Sequence, residues 1–254
     1  MSPSTPKRTQ DSHLGILETT LRAAVGDTLK MHFKNKAKQP HSIHPHGVFY
    51  TKANEGADYA GATTKGGAVK PGETFTYTWE VPESAGPGPN DGSSIVWLHH
   101  SHVDSGPDMY KGLLGAMIIT AADRANPDDT PNDIDREFIN LFMVFNENGE
   151  DEEGHLMHAI NGTVFGNLPG LNMKKGSRVR WHLIGMGTEV NLHTPHWHGE
   201  TVLHQRHRKD VVDLLPSTMT SADMTITNPG TWLYRCHFTD HITAGMVATY
   251  QVDE

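Results

Sequence analysis

The sequence predicts an all-β protein of two β-sandwich domains, residues 1–125 and 134–254, and three observations carry that reading. Short apolar runs alternate with turns drawn from 25 glycines and 15 prolines, while helical periodicity is weak. Residues 122–135 (ADRANPDDTPNDID) are acidic, hold two prolines and read as an interdomain linker. The halves on either side repeat each other. Trp97-Leu98-His99-His100-Ser101-His102 aligns with Trp232-Leu233-Tyr234-Arg235-Cys236-His237, and His44-Pro45-His46-Gly47 aligns with His196-Trp197-His198-Gly199.

In chain order, residues 1–14 are polar, read as frayed and hold no apolar core of a leader peptide. Strands are expected at 29–34, 74–81, 95–103 and 113–120. After the linker they are expected at 137–145, 178–185, 211–215, 224–227, 231–238 and 246–252. In both halves the Trp-Leu element leads into a glycine-bearing apolar strand. A chain of 254 residues buries real cores without staples. Its single cysteine excludes an intrachain disulfide and any four-cysteine metal site. A net charge of −9 argues against nucleic-acid and anionic-membrane partners. No apolar run reaches the roughly 18 residues of a membrane span.

The histidines are the anomaly. Of the 18 in the chain, most fall in clusters: His41, His44 and His46; His99, His100 and His102; His193, His196 and His198; His204 and His207; His237 and His241. Side chains at i and i+2 of a strand share a face, so a His-x-His pair aims two imidazoles at one point. Imidazole is the commonest metal ligand, and the repeat calls for four such pairs. The fourth reads Arg235-x-His237, which leaves seven imidazoles where the repeat predicts eight. A second constellation is Cys236, His241 and Met246 in Cys-x4-His-x4-Met spacing, with His193 upstream. A thiolate, two imidazoles and a weak thioether make a blue-copper ligand set. The first half has His41 and Ser101 at the places of His193 and Cys236, so without a thiolate it is expected to hold no blue copper.

HPHG at 44–47, HSH at 100–102, HTPHWHG at 193–199 and CHFTDHITAGM at 236–246 resemble the multicopper oxidases. The resemblance spans residues 20–252. GVFYTKANEGADY, IDREFINLF and INGTVFGNLPGL are similar to the ceruloplasmin branch, and the two-domain length is similar to the small laccases. The resemblance implies two cupredoxin-like Greek-key sandwiches and three kinds of copper. Type 1 copper would take His193, Cys236, His241 and Met246. Type 2 would take His44 and His196. One type 3 copper would take His46, His100 and His237. The other would take His102, His198 and a histidine at position 235, which is absent.

The resemblance also implies an oxidase that passes single electrons from a small reducing substrate, phenolic or a metal ion, to O₂ by way of Cys236 and His237. It implies a homotrimer, with each cluster shared between domains of neighbouring subunits, and a periplasmic or secreted location. Glu55 and Tyr50 stand where small laccases carry an acid and a tyrosine, and are candidates for proton delivery. Asp240 falls where ceruloplasmin holds iron, and an exposed loop acid is the ordinary reading of it.

Arg235 is the main departure. A guanidinium stays protonated and does not coordinate metal as imidazole does, so one type 3 copper is expected to bind weakly. Two rivals remain. A copper nitrite reductase would carry its thiolate in the first domain. A copper-binding or electron-transfer protein would have lost its cluster at Arg235. Asn161-Gly162-Thr163 fits a glycosylation sequon. His204 and His207 read as a solvated loop or as flanks of the substrate approach.

Overall fold

The computed structural model describes residues 9–146, 155–187 and 191–254. These fall into two units. The first gathers residues 18–89 and 93–131; the second gathers residues 9–17, 90–92 and 132–254.

The first unit contains β1 (Leu21–Ala24), β2 (Thr28–Lys34), β3 (His44–Pro45), β4 (Thr74–Glu80), β5 (Ser94–His100), α1 (Ser105–Tyr110) and β6 (Leu114–Thr120). One sheet runs β1-β6-β5-β3 and the other pairs β2 with β4. In β4, Thr-Phe-Thr-Tyr-Thr-Trp-Glu alternates polar and aromatic residues, and the pleat sends Tyr77 and Trp79 inward. They pack in one cluster with Val48, Met117 and Ile119.

The second unit contains β7 (Arg136–Phe145), β8 (Met157–Ile160), β9 (Asn172–Lys174), β10 (Arg178–Gly185), β11 (Pro195–Trp197), β12 (Val202–His204), β13 (His207–Lys209) and β14 (Thr218–Thr225). It closes with β15 (Gly230–Cys236), α2 (Thr239–Thr243) and β16 (Val247–Asp253). A six-stranded sheet, β13-β12-β14-β10-β7-β8, and a four-stranded sheet, β11-β15-β16-β9, make the sandwich. Phe138, Phe142, Trp181, Trp197, Tyr234 and Tyr250 fill it, and Cys236 and Met246 belong to the same buried cluster.

The His-x-His-Gly repeat has a packing reason. Gly47 and Gly199 both turn with positive φ, +77° and +80°. A Cβ on Gly47 would stand 2.2 Å from the Trp97 ring, and one on Gly199 would stand 2.7 Å from the Trp232 ring. Each glycine thus lets the tryptophan of the Trp-Leu element close over the turn that carries the histidines.

Several expectations are corrected. Of residues 1–14, read as frayed, residues 1–8 lie outside the described residues, and residues 9–14 form a 3₁₀ turn; His13 and Leu14 are buried, and His13 Nε2 accepts a hydrogen bond from Ile139 N at 3.1 Å. Asn161 is fully buried. Its Nδ2 donates to the carbonyls of His13 (2.6 Å) and Ile139 (2.7 Å), and its Oδ1 accepts from Leu141 N. The sequon is therefore spent on structure. Residues 211–215 make only single bridges, Val211 to His196 and Leu214 to His193. His204 and His207 close a hairpin through Gln205 and Arg206, both with positive φ, as short hairpin turns require. His204 is buried, with Nε2 2.8 Å from Thr220 Oγ1.

Candidate metal centre

Strand alternation explains how β15 serves two places. Tyr234 and Cys236 point into the core, so Arg235, between them, points to the opposite face. The thiol is thereby one peptide bond from His237, which follows the strand. On β11, Trp197 is buried between His196 and His198, and its ring stacks on Tyr234 at 5.3 Å.

The ligand atoms of His193, Cys236 and His241 lie within 4.8 Å of one another. Cys236 Sγ is 3.5 Å from His241 Nδ1 and accepts from the backbone N–H of Thr194 at 3.4 Å. The loop folds back on itself: Met246 N donates to His241 O (2.8 Å) and Cys236 N to Met246 O (3.2 Å). Met246 is fully buried beside Cys236 in the core cluster. Both ring nitrogens of His193 are buried without a hydrogen-bond partner. Leaving a buried polar group unpaired costs about 1–3 kcal/mol, and a metal ion bound at one of the two nitrogens removes that cost for its lone pair. Burial, helped by the neighbouring His241 and His158, pushes the His193 pKa down to about 3. Burial lowers His241 too. These imidazoles are neutral at physiological pH, the form that binds metal. A thiolate, two neutral imidazoles and a buried thioether fit copper.

The corresponding place in the first unit holds a hydrogen-bonded group. His41 Nδ1 is 3.0 Å from Asp108 Oδ2, and Ser101 Oγ donates to the same oxygen at 2.6 Å. All three residues are buried.

The outward histidines form one group in each unit. In the first, His44 pairs across the sheet with His100. The ring centroids of His44 lie 5.4 Å from His46, 5.6 Å from His100 and 5.3 Å from His102. His46 Nε2 and His100 Nε2 are 3.2 Å apart. Two nitrogens bound to one ion at about 2.0–2.1 Å stand at a similar separation. Burial, followed by the His100 charge, pushes His46 down to about 4, and burial also lowers His44 and His100. His99 faces the other way, fully buried against Gly115, where a Cβ would stand 2.6 Å from its Nε2.

In the second unit, the His196 ring lies 4.7 Å from His198 and 4.9 Å from His237. His196, His198, Glu200 and Asp210 help line a cavity of about 410 Å³. Three of the outward rings are held by backbone carbonyls. The Nδ1 atoms of His44, His100 and His196 lie 2.7, 2.8 and 2.9 Å from the carbonyl oxygens of Glu55, Ser101 and Asp210. That contact fixes the Nδ1–H tautomer and leaves Nε2 as the lone-pair donor. His198 differs: its Nε2 accepts from Arg235 Nε at 3.1 Å.

Tyr50 is half-exposed, with its ring 6.0 Å from that of His44. Glu55 holds His44 through its carbonyl, while its carboxylate pairs with Lys52. Asp240 is exposed in the first turn of α2. His158 lies outside the sequence's histidine clusters. Its ring lies 4.9 Å from that of His241, so it stands beside the thiolate group. No spacing reveals it, because β8 and α2 meet only in the fold.

Sequence models of the multicopper oxidase family match residues 13–124 and 139–254. Hephaestin of Mus musculus is 41% identical over 274 residues, covering 97% of this chain and 23% of its own length. Ceruloplasmin of Homo sapiens is 40% identical over 276 residues, covering 97% and 24%. The chain thus spans about a quarter of the length of these relatives. A blue copper oxidase from Nitrosomonas europaea has the same fold, with TM-score 0.71 and 23% identity over 92% of this chain and 76% of its own. Among the described residues no helix is long and apolar enough to cross a membrane.

Proposed function

Because the chain belongs to the multicopper oxidase family, we propose that it oxidises a small reducing substrate, a phenol or a reduced metal ion, one electron at a time and reduces O₂ to water. The observation that carries this reading is the covalent adjacency of Cys236, grouped with His193 and His241, to His237, whose ring faces His196. Copper, when bound, supplies the one-electron transfers and the reduction of O₂. His193, Cys236, His241 and Met246 would hold type 1 copper. His44 and His196 would hold type 2. His46, His100 and His237 would hold one type 3 copper, and His102 and His198 are the histidines left for the other.

The residues divide the work. The apolar core around Cys236 keeps water from the thiolate, and Thr194 N–H steadies the sulfur. Backbone carbonyls hold His44, His100 and His196 in the ligating tautomer. Tyr50, against His44, and Glu55, paired with Lys52, would hold and deliver protons at the first-unit histidines. The histidine groups are complementary halves, so the proposed assembly is a homotrimer that joins first-unit and second-unit groups of neighbouring chains. A closed ring satisfies every such head-to-tail contact. A laccase-like extracytoplasmic oxidase is the corresponding biological setting. The grouped thiol lies in the second unit, which gives a nitrite reductase no support.

The test is steady-state O₂ consumption by copper-loaded protein against Fe(II) and a phenol panel, with light scattering on the same sample. Uptake with at least one reductant and a mass of three chains is expected. One blue copper per chain without uptake would leave an electron carrier in place of an oxidase.

A further inference from the structure

We propose that Arg235 closes the second type 3 position, so that each chain holds three coppers where the family pattern has four; this rests on the copper-oxidase reading above.

The internal repeat sets the position. In the first unit His44 pairs across the sheet with His100, and in the second His196 pairs with Arg235 in the same register. Arg235 therefore stands where the sister unit presents an imidazole. Its guanidinium has donors only and keeps its charge. Because Nε donates to His198 Nε2, that nitrogen must be the acceptor, with the ring proton on Nδ1. The lone pair that His44 and His196 leave free is, in His198, already engaged. A second donor, Nη1, lies 3.4 Å from the carbonyl oxygen of Cys236 and ties the side chain back to its own strand. The substitution thus removes two ligands, the missing imidazole and His198 itself, and adds a fixed cation. These residues do not fit a copper ion there. Arg235 makes no hydrogen bond to His196 or His237, so the type 2 position and the other type 3 position remain served, alongside type 1.

Two numbers test the proposal: copper per chain by elemental analysis, and Cu(II) spins per chain by electron paramagnetic resonance. A bridged copper pair is silent because its spins cancel, whereas a lone ion is visible. The wild-type protein is expected to hold three coppers and show three spins. Arg235→His is expected to hold four and show two, with unchanged blue absorption and O₂ uptake raised several-fold. Four coppers with two spins in the wild type would overturn the latch and leave the oxidase reading standing. A single blue copper in the wild type would overturn the latch together with that reading. If Arg235→His does not fold, the wild-type pair of numbers decides alone.

Discussion

Cys236→Ser is expected to abolish both the intense visible absorption of the copper-loaded protein and all substrate oxidation. The hydroxyl is a hard, weakly acidic ligand and does not replace a soft thiolate on copper. Folding should survive. The substitution is nearly isosteric, and Thr194 N–H is in place to satisfy the new oxygen. The stability loss should stay within about 1–3 kcal/mol, the usual cost of burying a hydroxyl. Absorption spectra and denaturant titrations of the two proteins check both halves of this expectation. Blue colour in a folded Cys236→Ser protein would remove Cys236 from the ligand set.

Asn161→Ala should damage the fold without touching the metal ligands. The side chain satisfies the carbonyls of His13 and Ile139 and the N–H of Leu141, all in the buried seam between residues 9–17 and β7. Alanine strands all three groups at about 1–3 kcal/mol each. Asn161 also has φ of +52°, a conformation asparagine tolerates better than alanine. A loss of about 3–5 kcal/mol is expected in urea titrations. In a glycosylating host the wild-type chain should carry no glycan at Asn161. A glycan there, or a loss below about 1 kcal/mol, would contradict the buried role.

Asn161 also marks where sequence reading stops. A three-residue sequon carries no information on burial, and the partners of Asn161 come from distant segments. The longer strands were legible because their alternation is local: β4 and β10 read correctly from their own residues. The two- and three-residue strands β3 and β11 were not, since each contains a proline and exists only through pairing with β5 and β15. The thiolate group was legible because Cys236, His241 and Met246 lie on one loop. His158 was invisible because β8 and α2 are far apart in the chain. The charge of Arg235 was plain from its identity. Its hold on His198 required the register of β11 against β15.

The proposed oxidase requires an electronic connection between the thiolate group of the second unit and O₂ reduction at the histidine groups. The most direct measurement follows the blue absorption of copper-loaded wild-type protein through one cycle: anaerobic reduction with ferrous ion or a phenol, then admission of air. Complete bleaching and full return of colour are expected, without either step in the Cys236→Ser protein. A site that bleaches and stays colourless in air would contradict that connection, and would leave a copper protein that accepts electrons and passes none to oxygen.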